Sequence, residues 1–162
     1  LGVTSFSQMG GILNDAGFAT YYIASSLVGN FDFTPLELGQ MFQGLGKNSM
    51  QIGVTVAEFC DASINEMITI LDTLFPNDLD TVVATLYNTL GYPGALITST
   101  FKDFGKTAEE ISNALIYAGV TNVVGALEAG GFALSELSDI INDLPCSHVS
   151  LPDCGKIFKP FW

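Results

Sequence analysis

Few side chains in this sequence have the chemistry of a catalyst or a ligand, and most of them sit in one short stretch. CSHVSLPDC carries Cys146, His148, Asp153 and Cys154, with Ser147 and Ser150 between them, and His148 is the only histidine in the chain. Nucleophilic catalysis needs a base beside the nucleophile and a third group to orient the base, and neighbours in a tight loop rarely present that geometry. As a metal set the residues offer N, S and O donors, but the spacing C-x-H-x5-C matches no common zinc pattern. In an oxidising compartment a Cys146–Cys154 disulfide uses both thiols, and that is the expectation for this loop.

Elsewhere the candidates are weaker. Glu109 and Glu110 are adjacent carboxylates, yet neighbours on a helix diverge by about 100° and cannot flank one substrate. The clusters NDLD (Asn77 to Asp80) and DIIND (Asp139 to Asp143) lack the ligand spacing and central glycine of an EF-hand loop. Gly44-Leu45-Gly46-Lys47 lacks the remaining residues of a phosphate-binding loop. Cys60 stands between Glu58 and Asp61 in AEFCDAS, where neighbouring anions raise a thiol pKa; it is read as an unpaired thiol, most simply a buried inert one. No catalytic residue, no metal ligand and no cofactor site is therefore assigned.

The elements that would carry such residues are short helices. Thr107 followed by Glu110 is a capping box: the threonine hydroxyl accepts from the third helical N–H while the glutamate reaches back to the cap N–H. Thr34–Glu37, with Pro35 at the first helical position, and Ser63–Glu66 repeat it; Asn48–Gln51 and Asn77–Asp80 are looser versions. These starts are 14 to 15 residues apart, or a double step, and extension of the interval lands on Thr20, Thr121 and Ser135. Stops precede them at Gly17, Gly46, Pro76, Gly91, Gly105, Gly119 and Gly131.

Between cap and stop the apolar residues recur at helical spacing, as in Ile111, Ala114, Leu115 and Ala118. The fold class expected is all-α: about ten helices of nine to twelve residues in antiparallel hairpins, a 14–15-residue helical repeat arranged as a compact bundle or short solenoid. The landmark residues of tetratricopeptide and HEAT repeats are absent. Residues 1–144 form the helical domain. Residues 145–162 form an irregular tail with three prolines that ends in KIFKPFW.

Composition narrows the function classes. The chain has 162 residues, 48% of them hydrophobic and only 14% charged, with 17 acids against five lysines and no arginine. Soluble domains usually spend about a quarter of their residues on charge, so surplus apolar surface is expected to meet a subunit, a hydrophobic ligand or a lipid. A net charge of −12 without arginine argues against nucleic acid, whose phosphates need cations. No apolar run reaches the roughly 20 residues of a transmembrane span. The first residue is Leu rather than Met, which fits a processed chain, and secretion is expected.

The expectation for function is a secreted, non-enzymatic structural or interaction protein that packs on itself or on another subunit. Its assembly arm would be Lys156, Phe158, Lys159, Phe161 and Trp162, a slightly basic aromatic segment attached to an acidic body. The alternative is an extracellular carrier of a lipid or pigment, with Phe18, Tyr21, Tyr22, Phe31 and Phe33 as cavity aromatics.

Overall fold

Helix starts are fixed by side chains in four places where the caps predict them. In a computed structural model, which describes residues 5–143, Thr34, Asn48, Ser63 and Thr107 each accept from the N3 backbone while the N3 side chain accepts from the cap N–H. Such caps satisfy two of the backbone donors that every helix start leaves open. Among the described residues there are ten α-helices, of six to twelve residues, and no strand. The chain is all-α, and it separates into two compact units, 1–77 and 78–162.

The first unit contains α1 (Phe6–Asp15), α2 (Thr20–Leu27), α3 (Pro35–Gly44), α4 (Ser49–Cys60) and α5 (Ile64–Leu74). α1 packs on α2 and α3, α2 on α4, and α3 on both α4 and α5. Phe42 is fully buried at the centre, with Ile23, Leu27, Leu38, Ile52, Met67, Ile68 and Leu71. α3 approaches α5 closely because Gly39 has no side chain: a Cβ there would lie 2.8 Å from Leu74 Cδ1. Gln43 adds a side-chain hydrogen bond from α3 to the carbonyl of Leu74.

The second unit contains α6 (Leu79–Ala84), which continues as a π-turn over Thr85–Thr89, then α7 (Gly94–Asp103), α8 (Ala108–Tyr117), α9 (Val123–Ala129) and α10 (Leu134–Asp143). α6 packs on α8, α7 on α9, and α10 on both α8 and α9. Phe101, Leu86, Ile97, Ile111 and Leu127 form its buried centre. Asn88 ties the π-turn to α8 by donating to the Ala118 carbonyl at 3.0 Å.

Helix ends follow a common device. Gly119 adopts φ 80° and donates to Ile116 O at 2.9 Å, and Val120 then donates to Leu115 O at 3.0 Å and is buried. This pairing satisfies the last carbonyls and turns the next apolar residue inward, and only glycine takes the left-handed position without strain. The same arrangement at Gly131, φ 99°, places Phe132.

Several starts differ from the sequence expectation. α6 is capped by Asp78 rather than Asn77, α9 by Asn122 rather than Thr121, and α2 follows Ala19, which has no capping side chain. α10 begins at Leu134, with Glu136 accepting from Ala133 N–H at 2.7 Å, and α7 follows Pro93, which has no side chain to cap with. α4 is closed by Asp61, which follows Cys60 and is the one non-glycine residue with positive φ, 48°, among the described residues. Asp enters this region more readily than most residues because its short side chain bonds locally. The division at 77/78 falls inside the region read as one helical domain, and the boundary expected at 144/145 lies at the edge of the described residues.

Candidate functional site

Two residues in the first turn of α2 set the first surface. The helix turns Ile23, Ala24 and Leu27 fully inward. Tyr21 and Tyr22 lie two positions and one position before that stripe, so the 100° advance per residue carries them to the outer side. They are 53% and 61% exposed. Tyr22 meets Tyr21 edge-on at 5.7 Å, and Tyr21 leans on Phe59 at 5.1 Å, which joins the start of α2 to the end of α4. Phe18 stands just ahead of them, 50% exposed, held by its N–H to Leu13 O after the left-handed Gly17.

Of the five aromatics read as cavity walls, three thus face outward. Phe31 and Phe33 are half-buried, and Phe33 stacks on Phe6 at 5.5 Å. Phe59, half-buried against Tyr21, adjoins the exposed group, and the sequence reading missed it. Its signal was present, because Phe59 lies three residues beyond the buried Val56, on the flank of α4. Cys60, the next residue, is a free, half-buried thiol. Burial pushes its pKa up, so the direction expected from Glu58 and Asp61 holds but the cause is desolvation. A raised pKa makes it a poor nucleophile.

The second surface lies in the other unit, between α8 and α10. Thr107, Ala108 and Glu109 from the start of α8 face Glu136, Asp139 and Ile140 of α10 across a depression of about 360 Å³, with Phe132 at its floor. Phe132 is 8% exposed, and Lys102 Nζ sits 4.7 Å from its ring centre while donating to the Gly131 carbonyl. Three carboxylates thus rim a pocket whose base is apolar. Another depression, of about 220 Å³, lies in the first unit beside Thr34, Pro35, Glu66 and Ile70.

The capping glutamates are explained without a substrate. Backbone and hydroxyl hydrogen bonds from Thr34 and Thr107 hold Glu37 and Glu110 below the usual carboxylate range, and the Ser63 hydroxyl and N–H do the same for Glu66. Among the described residues no group of three or more His, Cys, Asp or Glu side chains is placed to hold a metal ion, and no helix is long and apolar enough to cross a membrane. Cys146, His148, Asp153 and Cys154, with the expected disulfide, and the arm Lys156, Phe158, Lys159, Phe161 and Trp162 lie outside the described residues. Comparison with protein-family models, curated proteins and solved structures found no match.

Proposed function

We propose that this chain is a secreted, non-enzymatic structural or interaction protein that assembles with copies of itself, or packs on a partner subunit, through apolar helix faces and its aromatic C-terminal arm. The observation that carries the reading is the outward aromatic face of Phe18, Tyr21 and Tyr22, backed by Phe59. Rigid aromatics on a helical scaffold gain contact area at small entropic cost and dominate the energetics of many interfaces. The sequence supports the same reading, because 14% charge leaves little else to keep a surface wet. The two cysteines eight residues apart support an oxidising, extracellular setting.

The carrier reading is the weaker of the two, since Phe18, Tyr21 and Tyr22 turn half or more of their surface outward rather than around a ligand. Light scattering over a concentration series tests the assembly reading. A mass that rises with concentration is expected, and a monomer at the highest concentration reached, with no partner retained from the source, overturns it.

A further inference from the structure

The groove between α8 and α10 joins acidic and apolar side chains. Its rim carries Glu109, Glu136 and Asp139, and its floor is Phe132 with Ala108 and Ile140. An occupant that fits must bring ammonium groups and apolar rings within one short segment. Residues 78–143 hold nine carboxylates against two lysines, and both lysines are engaged, Lys102 with Gly131 and Phe132 and Lys106 with the field of Glu110. The segment KIFKPFW supplies Lys156 and Lys159 around Phe158, followed by Phe161 and Trp162.

We propose that residues 156–162 dock in the α8/α10 groove of their own chain, with Lys156 and Lys159 against the carboxylate rim and an aromatic ring over Phe132. Reach permits it: α10 ends at Asp143, and the twelve residues 144–155 separate that point from Lys156. Twelve residues extend to roughly 40 Å, or roughly 20 Å with Cys146 bridged to Cys154, whereas Glu136 and Asp143 are only about 10 Å apart along the helix. The tether also decides between the chain's own arm and a neighbour's. A short linker sets an effective concentration in the millimolar range, far above the concentration of neighbouring copies in dilute solution. The proposal rests on the reading of this segment as a docking arm. It does not require self-assembly, and its consequence is that the arm reaches a neighbour only by leaving its own groove.

Trp162 is the only tryptophan, so the fluorescence of the full chain reports on the arm directly. In dilute solution its emission is expected to be blue-shifted and protected from acrylamide relative to the free peptide 145–162, and to be independent of protein concentration. Glu109→Gln with Asp139→Asn should weaken docking by roughly two- to fivefold for each carboxylate and move the emission toward that of the free peptide. Lys156→Glu with Lys159→Glu should do the same without altering α8 or α10, and Glu58→Gln with Asp61→Asn, in the other unit, should not. Emission equal to that of the free peptide, or insensitive to both sets of charge changes, overturns the proposal. Emission that shifts only as concentration rises places the arm in a neighbour and overturns docking in its own chain, while leaving assembly intact. A chain that is monomeric by scattering yet shows the concentration-independent shift separates the failure of the assembly reading from the success of this one.

Discussion

Tyr22→Ser is the sharpest perturbation of the aromatic face, because it removes surface that the monomer does not use. The ring is 61% exposed, and its link to the unit is the edge contact with Tyr21 at 5.7 Å. The hydrogen bonds from the Ser25 and Ser26 hydroxyls end on the Tyr22 carbonyl, which the substitution leaves in place. Loss of the edge contact costs the monomer about 1 kcal/mol or less. An aromatic side chain offers about 200 Å² for burial, so the exposed share is on the order of 120 Å², worth about 3 kcal/mol if an interface covers it fully.

Partial cover and the desolvated phenol reduce that to about 2 kcal/mol, or roughly 30-fold in Kd. Symmetry then sets the observed change. A head-to-tail contact uses the face once, whereas a two-fold contact uses it twice, which doubles the cost to about 4 kcal/mol and the change to about a thousandfold. Sedimentation or light scattering across a concentration series measures it, with circular dichroism to show that the helices persist. A dissociation constant within about threefold of wild type, for a folded variant of a chain that does associate, refutes the role assigned to this face.

Three further outcomes are expected. Thr107→Ala should cost about 1 kcal/mol in urea unfolding, the usual loss for an N-cap. Glu110 has its pKa lowered by Thr107, so its contribution is present above the ordinary glutamate pKa and is lost as pH falls through the lower folded value; the gap between wild type and Thr107→Ala should therefore narrow as pH drops below about 4.3. Gly130→Ala should destabilise by about 2 kcal/mol: with φ −78° the backbone accepts alanine, but the new methyl would meet fully buried Thr98, 2.5 Å from its Cβ, and an unchanged or raised melting temperature counts against the packing of α7 on α9. Thr98→Val should raise stability by about 1 kcal/mol, because Thr98 Oγ1 is buried without a hydrogen-bond partner among the described residues, and a lower melting temperature would show that a partner exists.

The part of the fold that was legible in the sequence is the part written in local chemistry. A Thr, Ser or Asn three residues ahead of Glu or Gln fixes a start through bonds closed within four residues, which is why the boxes at 34, 48, 63 and 107 stand where they were placed. Starts without a side-chain cap could not be located that way: α2 follows Ala19 and α7 follows Pro93, and packing decides both. Between Asn77 and Asp78 either side chain can cap, and only the backbone geometry chooses. The ending at Asp61 carries no glycine to announce it.

The surfaces were less legible for a related reason. Tyr21 and Tyr22 read as walls of a ligand cavity, although their offset from Ile23, Ala24 and Leu27 already put them on the outer side of α2. Glu109 read as a residue of the helix start, where a carboxylate meets the positive end of the dipole. Its place on a groove rim depends on α10 lying across α8, a contact between residues about thirty apart that no local pattern encodes.

Charge placement ties these surfaces together. Glu37, Glu66, Glu110 and Glu136 spend their carboxylates on the N–H groups of helix starts. Those groups remain solvated, so they keep the helix ends wet, but they leave the flanks between the ends to uncharged side chains. On α2 the consequence is complete: the helix TYYIASSL carries no charge, and its outer side is Tyr21, Tyr22, Ser25 and Ser26, with Val28 just past the end, 38% exposed. Serine hydroxyls cannot compensate, because Ser25 and Ser26 both turn back to the Tyr22 carbonyl. A flank of that kind gains free energy when a second apolar surface covers it, whereas the acidic rim of α8 and α10 gains it from cations, so the two surfaces select different occupants and disruption of one should leave the other's binding unchanged.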